Sequence, residues 1–147
     1  MLKIEQIKTE DELPMGLTRQ KFVDFMHRHL GRFGDTKSAI AKSIDYAFSS
    51  EEGKGGFLLA AYDDGRLVGG LIMNHTGMSE YVPEHLLVYV TVSDEYRNRG
   101  YGARIVETAF DLCDGNVALH VEYENPAKRL YERLGMTTKY AEMRYIK

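Results

Sequence analysis

A switch of hydrophobic period between Leu86 and Cys113 constrains the fold of this chain more than any other feature. Leu86 to Val92 is a nearly unbroken apolar and β-branched run, which reads as a strand. From about Tyr101 to Cys113 the apolar residues Ile105, Val106, Ala109, Phe110 and Cys113 recur on one side of a helix. The turn between them contains Arg97-Asn98-Arg99-Gly100-Tyr101-Gly102-Ala103. Glycines at 100 and 102 let backbone N–H groups approach a ligand closely at a helix N-terminus, where partial positive charge gathers. Arg97 and Arg99 add fixed cations, so the turn is a candidate anion cradle. It is not a P-loop, because no Gly-Lys-Ser/Thr follows. The dinucleotide-binding pattern fails too, since Ile105 stands where a third glycine belongs.

The 147 residues are expected to form one domain, residues 1–147, burying roughly 70% of the unfolded surface around one core. The single cysteine, Cys113, excludes an internal disulfide framework and reads as a small buried hydrophobe. No run approaches the ~18 apolar residues of a membrane span. The start Met1-Leu2-Lys3-Ile4-Glu5 is unlike a signal peptide, so a soluble cytoplasmic protein is expected. Net charge is −3, which argues against broad nucleic-acid binding. The charge is uneven: residues 1 to 95 carry 10 basic and 15 acidic side chains, residues 96 to 147 carry 9 and 7, and the cradle lies in the positive part. His27 and His29 are two apart and cannot share a metal from one helix face, His75 has no neighbouring ligand in the sequence, and no metal site is expected.

Without repeats or long linkers, the chain reads as one run of elements. Ile4 to Ile7 suggests a strand. Thr18 can cap a helix bearing Phe22, Val23, Met26, Leu30 and Phe33 that ends near Gly31 and Gly34, and Asp35 can cap a second bearing Ile40, Ile44, Ala47 and Phe48. Phe57–Tyr62 and Leu67–Met73 flank Asp64-Gly65, a tight hairpin signal. A polar loop covers Thr76 to Glu84, a strand Val117 to Glu122, and a helix Pro126 to Leu134, with Asn125 before it and Gly135 after it. The tail Thr137 to Ile146 could add one or two closing strands. The expected class is α/β with a mixed sheet, in the order β-α-α-β-β-β-α-β-α-β.

Val92-Ser93-Asp94-Glu95-Tyr96-Arg97-Asn98-Arg99-Gly100-Tyr101-Gly102-Ala103 is followed at a distance by Leu119-x-Val121 and then by Ala127-x-x-Leu130-Tyr131-x-x-x-Gly135. These segments, in this order, resemble the GNAT superfamily of acyl-CoA-dependent N-acetyltransferases, with residues 86 to 136 carrying the match. The resemblance implies a mixed central sheet flanked by helices on both faces. It implies transfer of an acetyl group from acetyl-CoA to a primary amine of a small molecule or peptide, directly within a ternary complex. Val90, Thr91 and Val92 would hold the pantetheine arm, and the amides of Arg97, Asn98, Arg99, Gly100, Tyr101, Gly102 and Ala103 the pyrophosphate. Tyr131 alone would read as a core aromatic; inside the motif it matches the position of the general acid.

In some relatives a carboxylate sits between the Leu and Val of the Leu-x-Val strand; here that position is His120, a base of suitable ordinary pKa. Glu84 and His85 are rivals, and ordered water is a further alternative. Asn125 matches a residue that touches the pantetheine arm, but its spacing to Tyr131 is one residue short, so plain helix capping competes. Lys128-Arg129 reads as a solvated helix face, with the coenzyme's 3′-phosphate as an alternative partner. Acceptor recognition is expected from the first half, chiefly the two helices and the Thr76 to Glu84 loop, whose Asp45, Glu51, Glu52, Glu80 and Glu84 would favour a cationic amine, with ordinary surface charge as the alternative reading. A homodimer is left open. The competing reading is a non-catalytic acyl-CoA-binding regulatory module.

Overall fold

In the computed structural model, which describes residues 1–147, the elements run β1 (Leu2–Ile7), α1 (Arg19–Leu30), α2 (Lys37–Ala47), β2 (Gly56–Asp63), β3 (Arg66–His75), β4 (His85–Val92), α3 (Tyr101–Leu112), β5 (Val117–Leu119) and α4 (Ala127–Arg133). They build a five-stranded sheet in the order β1-β2-β3-β4-β5, antiparallel except for the parallel pair β4-β5. The hairpin turn forms as expected, with Asp64 at φ 51° and Gly65 at φ 75° between β2 and β3. Thr18 caps α1 by accepting from the Lys21 N–H, and Gly31 at φ 59° ends it. No helix is long and apolar enough to cross a membrane.

Helices cover both faces. Phe22, Val23, Met26, Ile40 and Ile44 of α1 and α2 pack with Leu58, Ala60 and Ile72 on one side. Ile105, Val106 and Ala109 of α3 and Tyr131 of α4 pack with Leu59, Leu71, Met73 and Leu87 on the other. Two adjacent glycines at the middle of β3 allow both layers to close. A Cβ on Gly69 would lie 2.5 Å from Ile105 Cδ1, and one on Gly70 would lie 2.6 Å from Met26 Sδ. Cys113 packs partly buried against the α3 side, and burial pushes its thiol up to about 11, as fits an apolar role.

Three features depart from the expected elements. The N-cap of α2 is Thr36, whose hydroxyl oxygen accepts from the Ala39 N–H, so Asp35 is released from capping. The fifth strand ends at Leu119 instead of Glu122, because β5 diverges from β4 there and the later residues have no strand to pair with. The tail forms no closing strand: residues 137–147 are exposed and outside any ladder. A three-residue β5 offers too short an edge to template one.

His75 has a partner after all. Its Nδ1 lies 2.8 Å from His85 Nδ1, while His85 Nε2 lies 3.0 Å from Asp114 Oδ1, tying the ends of β3 and β4 to the turn before β5. Burial, and then the neighbouring His85, hold His75 below the ordinary histidine range, and burial does the same to His29. A base whose folded pKa is depressed takes its proton more readily in the unfolded chain. Stability is therefore full above about pH 6.5 and falls as the pH drops below that ordinary value. Urea melts between pH 7 and pH 5 should show unfolding free energy falling with acidification, with a shallower slope in His75→Gln. An unchanged slope in that variant would remove His75 from the account.

Candidate functional site

The chain opens where β4 and β5 part. Ladder pairing between them covers only His85–Leu87 with Val117–Leu119. On its other edge β4 carries a bulge: Ile72 pairs with Tyr89 and Met73 with Leu87, which leaves Val88 as the extra residue. Beyond Leu87 the β4 edge on the β5 side is thus free of strand partners. A groove of about 260 Å³ fills the gap, lined by Val88, Tyr89 and Val90 of β4, by Leu119, His120 and Val121, and by Tyr131. Leu30, Phe33 and Asp35 close it from the α1–α2 side, and Asn125 and Arg144 complete it.

At its C-terminal end β4 runs through a short turn, Asp94–Tyr96, into the glycine segment. Asn98 at φ 64° and Gly100 at φ 80° alternate with right-handed or extended neighbours, which turns successive N–H groups toward one concave side. The first amide in this segment with a backbone partner is that of Arg104, which donates to the Gly100 carbonyl at 3.2 Å. The N–H groups of Gly100, Tyr101, Gly102 and Ala103 are left free at the start of a twelve-residue helix, a ready site for an anion.

Side chains of the cradle divide by role. The Arg97 guanidinium donates from Nη2 to the His29 carbonyl at 2.6 Å and from Nε to the Val92 carbonyl at 3.1 Å, and it pairs with Asp94 at 3.0 Å. It ties the cradle to the end of α1, so the expectation of a freely available cation holds for Arg99 only. Arg99 lies 4.8 Å over the Tyr96 ring, exposed beside the turn. The Tyr101 hydroxyl donates to Asp63 at 2.6 Å, which leaves its backbone N–H to the cradle. Of the strand residues, Val90 lines the groove, while the Thr91 hydroxyl donates to the His29 carbonyl at 2.9 Å and Val92 gives its carbonyl to Arg97.

Tyr131 is only 7% exposed, and burial pushes its hydroxyl up to about 12. That hydroxyl makes no hydrogen bond to another residue, yet no buried side-chain oxygen of the chain is left orphaned, so it opens into the groove. His120 lines the same groove from just past β5 and is exposed. Glu84 is elsewhere: its Oε1 accepts from the Asn116 N–H at 2.7 Å, and that bond holds its carboxylate below the ordinary range. A carboxylate so engaged, outside the groove lining, is a poor base, and His85 is likewise engaged through both ring nitrogens. Asn125 takes the capping role, its Oδ1 accepting from the Ala127 N–H at the start of α4 at 2.9 Å, and the residue also lines the groove.

Sequence reasoning turned to the two first-half helices for acceptor recognition, but it took Asp35 for a helix cap and did not single out Tyr89. Tyr89, on the face of β4 toward α1 and α2, donates its hydroxyl to Asp35. Burial and then Asp35 push that hydroxyl above the ordinary tyrosine range. The available signal was the order Asp35-Thr36: once the threonine takes the cap, the aspartate is left to do something else.

Comparison with known proteins gives the site a context. A family model described as the acetyltransferase (GNAT) family matches residues 22–136. No curated protein sequence matches significantly. Among solved structures, a GNAT-family acetyltransferase from Streptococcus pneumoniae TIGR4 superposes with a TM-score of 0.70 at 15% identity, covering 100% of this chain and 98% of that one. An aminoglycoside N-acetyltransferase in complex with CoA gives 0.66 at 14% identity, covering 100% and 95%. The ribosomal-protein-S18-alanine N-acetyltransferase from Escherichia coli gives 0.61 at 17%, covering 92% and 77%. Likeness at these identities establishes a shared fold.

Proposed function

The chain belongs to the GNAT acetyltransferase family, and from that premise we propose that it moves an acetyl group from acetyl-CoA to a primary amine by direct transfer within the groove. The observation that carries this reading is the continuity between the unpaired edge of β4 and the free amides of the cradle. A chain of amides suits the first as an added strand would, and a diphosphate suits the second. The donor supplies an activated acyl group as a thioester. The fit requires only backbone from Val90 to Val92 and from Asn98 to Ala103, with Arg99 adding charge nearby.

Two protonic tasks remain for side chains. An amine of lysine-like pKa is neutral at pH 7 only about once in 2,500, a cost of roughly 4.6 kcal/mol that a base helps to relieve. His120 faces the groove with no competing partner and is our assignment for that base, directly or through water. Tyr131 keeps its proton at neutral pH and donates to the sulfur as negative charge develops there. Release of free thiol from acetyl-CoA with a panel of monoamines, amino acids, aminoglycosides and lysine peptides tests the reaction. Coenzyme binding without thiol release by any amine would instead mean a regulatory module.

His120→Ala should lower kcat/KM by about 100-fold and erase the acidic limb of its pH profile. A limb that survives the substitution would hand the task to water.

A further inference from the structure

Only one carboxylate lines the groove, that of Asp35 at the α1–α2 wall. It is not a helix cap, because Thr36 holds that position, and its one hydrogen-bond partner is the Tyr89 hydroxyl from β4. Tyr89 fixes the carboxylate without neutralising it, since a neutral hydroxyl brings no charge. Tyr131 and Asn125 lie on the opposite face of the sheet, toward α3 and α4. The groove therefore has one wall that presents the Tyr131 hydroxyl and a separate anionic wall.

A second observation concerns what already approaches that carboxylate. Arg144 of the tail reaches the same groove and feels the charge of Asp35, although its own ion-pair partner is Glu142. It is the only fixed cation among the lining residues. The chain thus brings one of its own positive groups to the anionic wall from an exposed segment that no ladder holds in place.

Resting on the acetyl-transfer reading, we propose that Asp35, oriented by Tyr89, is a subsite for a second positive charge on the acceptor, and that Arg144 competes for it. The acceptor class is then a compact di- or polyamine. One amino group, neutral, meets the acyl carbon, and another stays protonated against Asp35. A charge-assisted bond to a carboxylate in a partly dry groove accounts for discrimination of about tenfold or more over a monoamine of equal length.

Calorimetric titration of 1,4-diaminobutane and of butylamine into the protein saturated with coenzyme A reads the subsite without turnover. The wild-type chain should bind the diamine at least tenfold more tightly than the monoamine. Asp35→Asn should remove that preference while leaving butylamine and coenzyme A affinities unchanged. Tyr89→Phe should weaken diamine binding about threefold, and Arg144→Ala should strengthen it by a similar factor. If Asp35→Asn does not fold, the opposite signs of the other two variants decide. A preference that persists in Asp35→Asn, or Tyr89→Phe and Arg144→Ala that leave diamine affinity unchanged, overturns the proposal. Thiol release measured on the same variants, with acetyl-CoA in place of coenzyme A and either amine as acceptor, separates the two ideas: tight diamine binding with no release by any amine sinks acetyl transfer and keeps the subsite, whereas release with no diamine preference does the reverse.

Discussion

Tyr131→Phe should lower kcat by at least about 100-fold while leaving coenzyme A affinity within a factor of two, because the one atom removed is the only side-chain hydroxyl on the α4 side of the groove and, in the proposed reaction, the donor to the leaving sulfur. The ring stays, so the α4 packing against Leu87 and Ala109 stays with it. The hydroxyl bonds to no other residue, so its loss orphans no partner and the fold should lose no more than about 1 kcal/mol. That combination separates a chemical role from a structural one. A hydroxyl pushed up to about 12 is too weak an acid to surrender its proton readily, so its effect lies chiefly in a hydrogen bond to the developing sulfur charge. The same value keeps it protonated throughout the assay range, so no alkaline limb in the kcat profile should trace to it below about pH 11. Single-turnover thiol release, with coenzyme A binding measured separately, checks both halves. Unchanged turnover would remove Tyr131 from the chemistry.

What the amino-acid order revealed depended on the reach of the interactions involved. The α1 cap at Thr18, the Asp64-Gly65 turn, the stop at Gly135 and the strand-to-helix switch at the cradle rest on neighbours a few residues apart, and all formed as read. Asp35 and Thr36 are both good caps by type, and only register against Ala39 chooses between them. Arg97 looks like a cation for an anion because it borders the glycines, yet its shortest contact is to the carbonyl of His29, 68 residues away. The tail carries Tyr140, Met143 and Tyr145, apolar enough to suggest a strand, but a strand needs an edge, and β5 stops after three residues. The groove itself is of this kind. It exists because a parallel pair separates after Leu87, a fact of strand geometry that no local pattern announces.

Gly100→Val should weaken coenzyme A binding by tenfold or more, for a reason that is conformational and not a matter of local space. A Cβ at Gly100 would meet nothing within 4 Å, so size alone is tolerated by the chain. Its backbone, at φ 80° and ψ 7°, is left-handed, which costs a β-branched residue well over the ~1–2 kcal/mol of an ordinary L-residue. Valine relieves that strain by rotating the peptide out of the nest, which turns the free amides at the start of α3 away from their common focus. Gly100→Asn makes the comparison sharp. Asparagine is close to valine in size but tolerates the left-handed region, so it should hold coenzyme A affinity within about threefold of the wild-type chain. Gly102, by contrast, is helical, and a Cβ there would meet Leu130 Cδ2 at an ordinary 3.4 Å, so Gly102→Ala should fold normally. Calorimetry with coenzyme A ranks the variants. Asparagine and valine losing affinity equally would mean bulk against the ligand is the cause, and neither losing it would mean that the pyrophosphate does not rest on these amides.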